Sequence, residues 1–264
     1  MAPIMYFVGI VAVLVAAIIL KKTKPFSGKP APFVMELPQY HVPQAKTVLL
    51  HVWERLKGFI IKAGTILFLA CVVMWFLGGF GFTNGGFGLV DDSADSLLAV
   101  IGGFIAPIFA PLGFDNWKAV AASLSGFSAK ESIVSTMGVL SGLGEVEEYA
   151  ASMHDQFAQF FPTGIAAVSF LMFNLFDSPC LAAISTMARE MKSKKFVVFA
   201  LIFQNVLAYC VALMVYQIGG LVLGEVAFGP ATVVAFIVAA VILYFLFRPD
   251  PNKKTSYKTA AGEA

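Results

Sequence analysis

The sequence predicts an all-α, polytopic helical membrane protein of about seven spans, one of them a broken helix and one a short proline-containing segment. Three observations carry this reading. Of 264 residues, 59% are hydrophobic and only 13% charged, and the mean hydropathy of +0.83 lies far outside the range of soluble globular domains. Apolar runs long enough to cross a bilayer recur along the chain between polar stretches. With the N-terminus outside and the C-terminus in the cytoplasm, all of the 18 Lys and Arg residues except Lys130 fall on the cytoplasmic side, as the positive-inside rule requires. The net charge of +2 gives no argument for nucleic acid as a partner; the lipid bilayer is the partner the composition implies.

Taken in order, residues 4–20 form an apolar run followed by Lys21, Lys22, Lys24 and Lys29. That is the reverse of a signal peptide, whose basic region comes first, so residues 1–20 read as the first transmembrane helix. A proline-rich linker follows, and residues 46–62 alternate apolar and basic side chains at helical spacing. Residues 21–58 therefore read as a cytoplasmic linker and an amphipathic helix on the inner surface. The second span, residues 59–77, is about 28 Å long and ends near Trp75, an interfacial anchor. Residues 78–96 are glycine-rich, carry Asp91, Asp92 and Asp95, and read as a flexible external loop. No phosphate-binding G-x-x-x-x-G-K-[ST] pattern occurs anywhere, so the chain is read as a transporter without nucleotide-hydrolysing chemistry.

Residues 97–112 hold Pro107 and Pro111 and form either a thin span or a re-entrant segment. Residues 117–140 are long enough to cross, and after an acidic excursion with Glu145, Glu147 and Glu148 comes the broken helix, residues 162–187. Spans at 196–218 and 226–247 complete a transmembrane bundle over residues 59–247, and residues 248–264 are a cytoplasmic tail.

The candidate chemistry sits in residues 170–187, FLMFNLFDSPCLAAISTM. Pro179 lacks an N–H, and Ser178 before it is biased away from helical angles, so the helix should open and free backbone carbonyls. Groups of that kind are tolerated in a membrane only inside protein or along a cavity. Asn174, Asp177 and Cys180 add an amide oxygen, a carboxylate and a thiol, a set that suits a divalent first-row metal better than Mg²⁺ or Ca²⁺, which avoid sulfur. Lys130 and Glu131 lie mid-span, where an ionised group costs roughly 2.5–3.5 kcal/mol, so both are expected to face the bundle. Lys130 and Asp177 fall at similar depths. They either form a buried ion pair that fixes packing or line, with Glu131, Ser128 and Ser135, a polar path for an ion; the two are compatible. Cys71 and Cys210 read as small apolar packers, and the neighbours Met153 and His154 as part of a solvated helix.

Four stretches resemble the membrane part of the ferrous iron transport protein B family (FeoB): residues 32–43 (PFVMELPQYHVP), 53–68 (WERLKGFIIKAGTILF), 105–140 and 170–191. The resemblance is to the C-terminal half that contains the second gate motif. The GTP-binding domain and first gate with which the family normally begins find no counterpart here. Where the family's gate commonly reads T-P-C or C-x-P-C, Asp177 and Ser178 stand before Pro179. The resemblance implies Fe²⁺ uptake across a bacterial inner membrane, with Cys180 as a candidate iron contact and GTP used only through a partner polypeptide. The expected function is thus the permease part of an Fe²⁺ uptake system, its metal contacts drawn from Cys180, Asp177, Glu131 and Asn174 and its gate from Ser178 and Pro179. External acids would concentrate the cation, and a homo-oligomer is left open. The alternatives are a Gate-type carrier for a nucleoside-like solute, with Phe170, Phe173 and Phe176 as stacking surfaces, and a non-transporting scaffold left from a split transporter.

Overall fold

A computed structural model describes residues 2–23, 44–83, 86–90, 93–141, 160–191 and 193–248. The chain divides into two compact units, Met1–Pro43 with Phe236–Ala264, and Gln44–Ala235.

In the first unit, α1 (Ala2–Lys21) is apolar on every side, and Ile4, Tyr6, Phe7 and Val11 are all exposed. A helix without a polar face needs lipid or protein around it. Just beyond its end, the Lys22 ammonium donates to Phe245 O at 3.4 Å and to Leu246 O, both in the last turn of the final helix. Those carbonyls have no intrahelical partner, and a cation there also complements the helix dipole.

The second unit starts with α2 (Ala45–Gly79), a single helix of 35 residues, about 52 Å long. The expected surface helix and second span are therefore continuous. Gly58 is too weak a breaker to separate them, since one glycine costs a helix only about 1 kcal/mol. Where a flexible loop was expected, β1 (Phe80–Thr83) pairs antiparallel with β2 (Gly86–Leu89), Phe80 opposite Leu89 and Phe82 opposite Phe87. The Phe80 ring stacks on Phe76 at 4.7 Å and on Phe87 at 5.8 Å, which ties the hairpin to the last turn of α2.

Helix α3 (Leu97–Phe109) begins where Ser96 Oγ accepts from the Ala99 N–H at 3.1 Å. It tightens into a 3-10 turn at Ala110–Leu112 and reverses at Gly113, whose φ is 87°. A Cβ at Gly113 would lie 2.1 Å from the Tyr216 ring, so both the left-handed backbone and the space demand glycine. Asn116 Oδ1 then caps α4 (Trp117–Ser125) by accepting from the Lys118 N–H at 3.1 Å. The axes of α3 and α4 meet at 101°. The short third segment is thus one arm of a bent pair.

The fourth expected span is likewise not one helix. After α4 the chain leaves helical geometry and resumes as α5 (Ser132–Leu140). Next come α6 (Gly164–Phe176) and α7 (Leu181–Glu190), the two halves of the anticipated broken helix. Helix α8 (Lys194–Met214) continues through a π-helical turn, Val215–Gly219, into α9 (Gly220–Leu223), and α10 (Pro230–Phe247) ends the described chain. Among the described residues four helices are long and apolar enough to cross a membrane, Pro3–Lys21, Gly164–Glu190, Lys194–Leu223 and Pro230–Phe247, and the bent pair counts as a fifth if taken as one span. The third and fourth expected spans are a bent pair and a separate α5, and the second lies within the continuous α2, so the described residues do not confirm seven crossings.

The core of this unit joins Leu112 and Phe114 to Ala119, Ala121 and Ala122 of α4, Phe170 and Phe173 of α6, and Ala208 and Ala212 of α8. Alanine at these contacts lets helix backbones approach closely. Phe114 meets Phe170 edge to face at 5.3 Å, and Phe173 meets Phe109 the same way at 5.1 Å. Buried Gln217, in the π-helical turn, donates from Nε2 to Pro111 O at 2.7 Å and accepts from Thr232 Oγ1 at 2.9 Å, joining three elements. The net effect of this packing is to hold the two helix breaks side by side.

Candidate functional site

The first break spans residues 126–131, and serine hydroxyls close it. The Gly126, Phe127 and Ser128 amides make short-range bonds to Ser123 O, Leu124 O and Ser125 O at 3.0–3.2 Å, a 3-10 ending to α4. Ser125 Oγ donates to Ala122 O at 2.6 Å, and Ser132 Oγ lies 2.7 Å from Ala129 O and 2.8 Å from Ser125 O. Thr136 Oγ1 donates to Ser125 Oγ at 3.0 Å. Side chains thus satisfy carbonyls that a continuous helix would have paired internally.

The second break follows Phe176. Asp177 is extended, with φ −63° and ψ 176°, and its N–H still bonds Phe173 O at 2.9 Å. Cys180, also extended at φ −60° and ψ 157°, is the N-cap residue of α7 and supplies no side-chain cap. The two breaks bind one another directly. The Leu181 N–H, one of the orphan donors at the start of α7, donates to Phe127 O at 2.9 Å in the first break. Lys130 Nζ donates to Asn174 O at 3.0 Å and forms an ion pair with Asp177 Oδ1. The Asp177 side chain is 2% exposed and that of Lys130 35%, so the carboxylate is the buried member.

The expected site residues therefore divide. Lys130, Asp177, Asn174 and Ser178 meet at the junction of the breaks, and Cys180 follows three residues after Asp177 at the start of α7. Asn174 Nδ2 donates to Phe170 O at 2.8 Å, leaving Asn174 Oδ1 buried and without a hydrogen bond among the described residues. Ser128 is buried. Glu131 and Ser135 are exposed, so Glu131 does not turn inward as a mid-span charge was expected to do; it sits where α5 begins, outside the packed junction. Among the described residues no group of three or more His, Cys, Asp or Glu side chains comes together as a metal cage. Of the acids expected outside the membrane, Asp95 is exposed, while Asp91, Asp92, Glu145, Glu147 and Glu148 lie outside the described residues, as do Met153 and His154. Cys71 does not pack in the core but is exposed.

One contributor had escaped notice. Asn205 of α8 donates from Nδ2 to Ser178 Oγ and to Leu201 O at 2.8 Å, steadying the buried serine of the second break. The signal was an amide within an otherwise apolar span, where polar side chains serve as interhelical glue.

The chain matches two protein-family models, one described as ferrous iron transport protein B C terminus, over residues 2–55, and one described as Gate, nucleoside recognition, over residues 60–194. It is similar to a curated protein named Fe(2+) transporter FeoB from Methanocaldococcus jannaschii, with 35% identity over 82% of this chain and 32% of that protein. A protein of the same name from Staphylococcus aureus (strain MSSA476) is 35% identical over 82% of this chain and 31% of its own length. One from Salmonella typhi is 29% identical over 81% and 33%. The chain thus spans about a third of the length of these relatives. No solved structure matches it.

Proposed function

The chain belongs to the ferrous iron transport protein B family, and from that premise we propose that it forms the transmembrane permease part of an Fe²⁺ uptake system in a bacterial inner membrane. One observation carries the proposal. Where two helix breaks meet, an ammonium is held by the Asp177 carboxylate and the Asn174 carbonyl, and oxygens that stabilise a tethered cation inside an apolar bundle can stabilise a mobile one.

In this reading Fe²⁺ displaces the Lys130 ammonium from Asp177. The carboxylate, the unpaired Asn174 Oδ1 and the Cys180 sulfur then supply two hard donors and one soft donor, a combination that favours a first-row metal over Mg²⁺ or Ca²⁺. Three donors, only one of them charged, bind loosely enough to release. Glu131, on the exposed side, serves the approach of the ion. Motion about Ser178 and Pro179 opens the path, and the return of Lys130 expels the ion. A GTP-binding polypeptide drives or regulates the cycle. The N-terminus lies outside and the C-terminus in the cytoplasm.

The description of the Gate family favours a second reading, recognition of a nucleoside. A base needs a free aromatic face, however, and Phe170 and Phe173 are buried at 4% and 8% exposure against other rings, while Phe176 is half-buried against the same core. The cation reading uses the unpaired Asn174 Oδ1 and a carboxylate that already holds a cation.

Uptake of radioactive Fe²⁺ by cells lacking their own iron uptake, with and without a co-expressed GTP-binding partner, tests the proposal. Wild type with its partner should exceed empty vector, and Cys180→Ser and Asp177→Asn should each lower uptake. No uptake by wild type with its partner removes the permease reading. Unchanged uptake in both variants removes the site assignment.

A further inference from the structure

Helices α4 and α5 fold back on one another. At one end of the pair Ser132 Oγ lies 2.8 Å from Ser125 O and Thr136 Oγ1 donates to Ser125 Oγ at 3.0 Å; at the other end Lys118 Nζ donates to Leu140 O at 3.0 Å. Residues 118 and 140 are 22 apart in sequence, and in a helix crossing the bilayer they would stand about 33 Å from one another. Each arm has nine residues, about 14 Å, or half of a hydrocarbon core of about 30 Å. The tip of the pair, residues 126–131, meets the second break, and Asp177 is the central residue of Gly164–Glu190, a segment long and apolar enough to cross. The open end of the pair lies beside the start of that segment. Lys118 Nζ stands 6.0 Å from the centre of the Phe160 ring, just before α6, and Gly113 lies against the Tyr216 ring near the far end of the crossing segment Lys194–Leu223. The opposite ends of these two segments carry Arg189, Lys194 and Lys195. The 101° between α3 and α4 agrees with this placement, because a helix turned so far from a descending arm runs along the membrane and not across it.

We propose that α4 and α5 form a re-entrant hairpin, which enters and leaves on the membrane face where α6 begins, is clasped at its mouth by Lys118, and closes the junction of the breaks toward that face. The closing role rests on the permease reading; the topology does not. With the basic ends of α7 and α8 in the cytoplasm, the mouth is external, so Lys118, which the charge pattern alone places inside, joins Lys130 as a basic residue away from the inner face. The lysine has a use there. Leu140 O is one of the last-turn carbonyls of α5 that have no intrahelical partner, and the helix dipole also favours a cation at that end. Lys118 is thus a positioning residue: it holds the arms together while the tip sets Phe127 O against the Leu181 N–H and Lys130 against Asp177. Opening to the outside then requires the tip to withdraw from Leu181 and Asp177, not a crossing helix to move.

The test keeps the full chain with its native cysteines and adds Asp115→Cys, Ser141→Cys or Glu190→Cys singly. A membrane-impermeant maleimide is applied to spheroplasts and to inside-out vesicles, and mass spectrometry reads each site. Asp115→Cys and Ser141→Cys should both label in spheroplasts, and Glu190→Cys in inside-out vesicles. Labelling of positions 115 and 141 from opposite faces, or of both from the face that labels position 190, overturns the hairpin. The reverse pattern, with 115 and 141 labelled only in vesicles and 190 only in spheroplasts, supports the hairpin and overturns its external assignment. The clasp is read at native Cys180, three residues from Asp177, with a charged methanethiosulfonate applied from outside. Its reaction should be slow in wild type, about fivefold or more faster in Lys118→Met, a hydrogen bond's worth of opening, and back at the wild-type rate in Lys118→Arg. Cys210 should keep its rate throughout. Equal rates at Cys180 in wild type and Lys118→Met, or an equal acceleration at Cys210, overturn the closing role. Same-face labelling of 115 and 141 in a chain that gives no iron uptake supports the hairpin and overturns only the permease reading.

Discussion

Replacing Lys130 with methionine should destabilise the protein more than replacing Asp177 with asparagine, and the asymmetry follows from burial. The Asp177 side chain is 2% exposed, so in Lys130→Met its carboxylate keeps no counter-charge and little water. Breaking a buried pair from that side costs about 3–5 kcal/mol, or part of it is escaped by protonation. The reverse change leaves a Lys130 that is 35% exposed and still bonded to Asn174 O. A partly exposed cation loses about 1 kcal/mol or less. The double variant should therefore lie close to Asp177→Asn alone, so the coupling energy should equal nearly the whole cost of Lys130→Met, about 3–5 kcal/mol less whatever protonation escapes. The assay is reversible unfolding in mixed micelles across the four proteins of the cycle. A divalent metal replacing the ammonium should also stabilise Lys130→Met more than wild type, so Co²⁺ should raise its midpoint further. Equal costs for the two single variants, or additivity within about 0.5 kcal/mol, would refute the assignment of Asp177 as the buried member of a coupled pair.

Two further outcomes follow from the packing. Gln217→Leu orphans Pro111 O and takes from Thr232 Oγ1 its acceptor, though not the Gly229 N–H it accepts from; an orphaned buried group costs about 1–3 kcal/mol, so the unfolding midpoint should fall by a clearly measurable amount. Gly113→Ala meets both a φ of 87° and the Tyr216 ring, and should lower the yield of folded protein in detergent; Tyr216→Ala added to it should recover only the part due to the clash.

The break at Asp177–Cys180 was legible because proline announces it, and the Lys130–Asp177 pair because two charges at similar depths in an apolar bundle have few other partners. The break at residues 126–131 was not, since no proline marks it. Its signals were Gly126, the serines at 125, 128 and 132, and a lysine too costly for a lipid-facing helix, and each is also tolerated inside a continuous helix. What opens the helix there is tertiary: a carbonyl accepting from Leu181 and an ammonium drawn toward Asp177. The hairpin at residues 80–89 was hidden by its glycines, although alternating phenylalanines flank Asn84-Gly85, the dipeptide most characteristic of tight hairpin turns. The inward expectation for Glu131 assumed one straight helix, and a chain that turns at that residue is free to present it outward. The seven-span count is not confirmed among the described residues, and hydropathy, which measures length along the chain, does not show the 101° between α3 and α4.

The partners that complete the first break lie far along the chain: Lys130 and Asn174 are 44 residues apart. During synthesis α4 and α5 enter the membrane before their counterpart exists, at a translation rate of about 5–20 residues per second. For some seconds the ammonium and the Phe127 carbonyl are without their final partners, so this region cannot reach its mature arrangement as a finished hairpin. Biogenesis must hold the first arm in a hydrated or chaperoned setting until the second is delivered. A nascent chain stalled before Asn174 should accordingly leave its Lys130 segment accessible from water, although the same segment is packed in the finished protein.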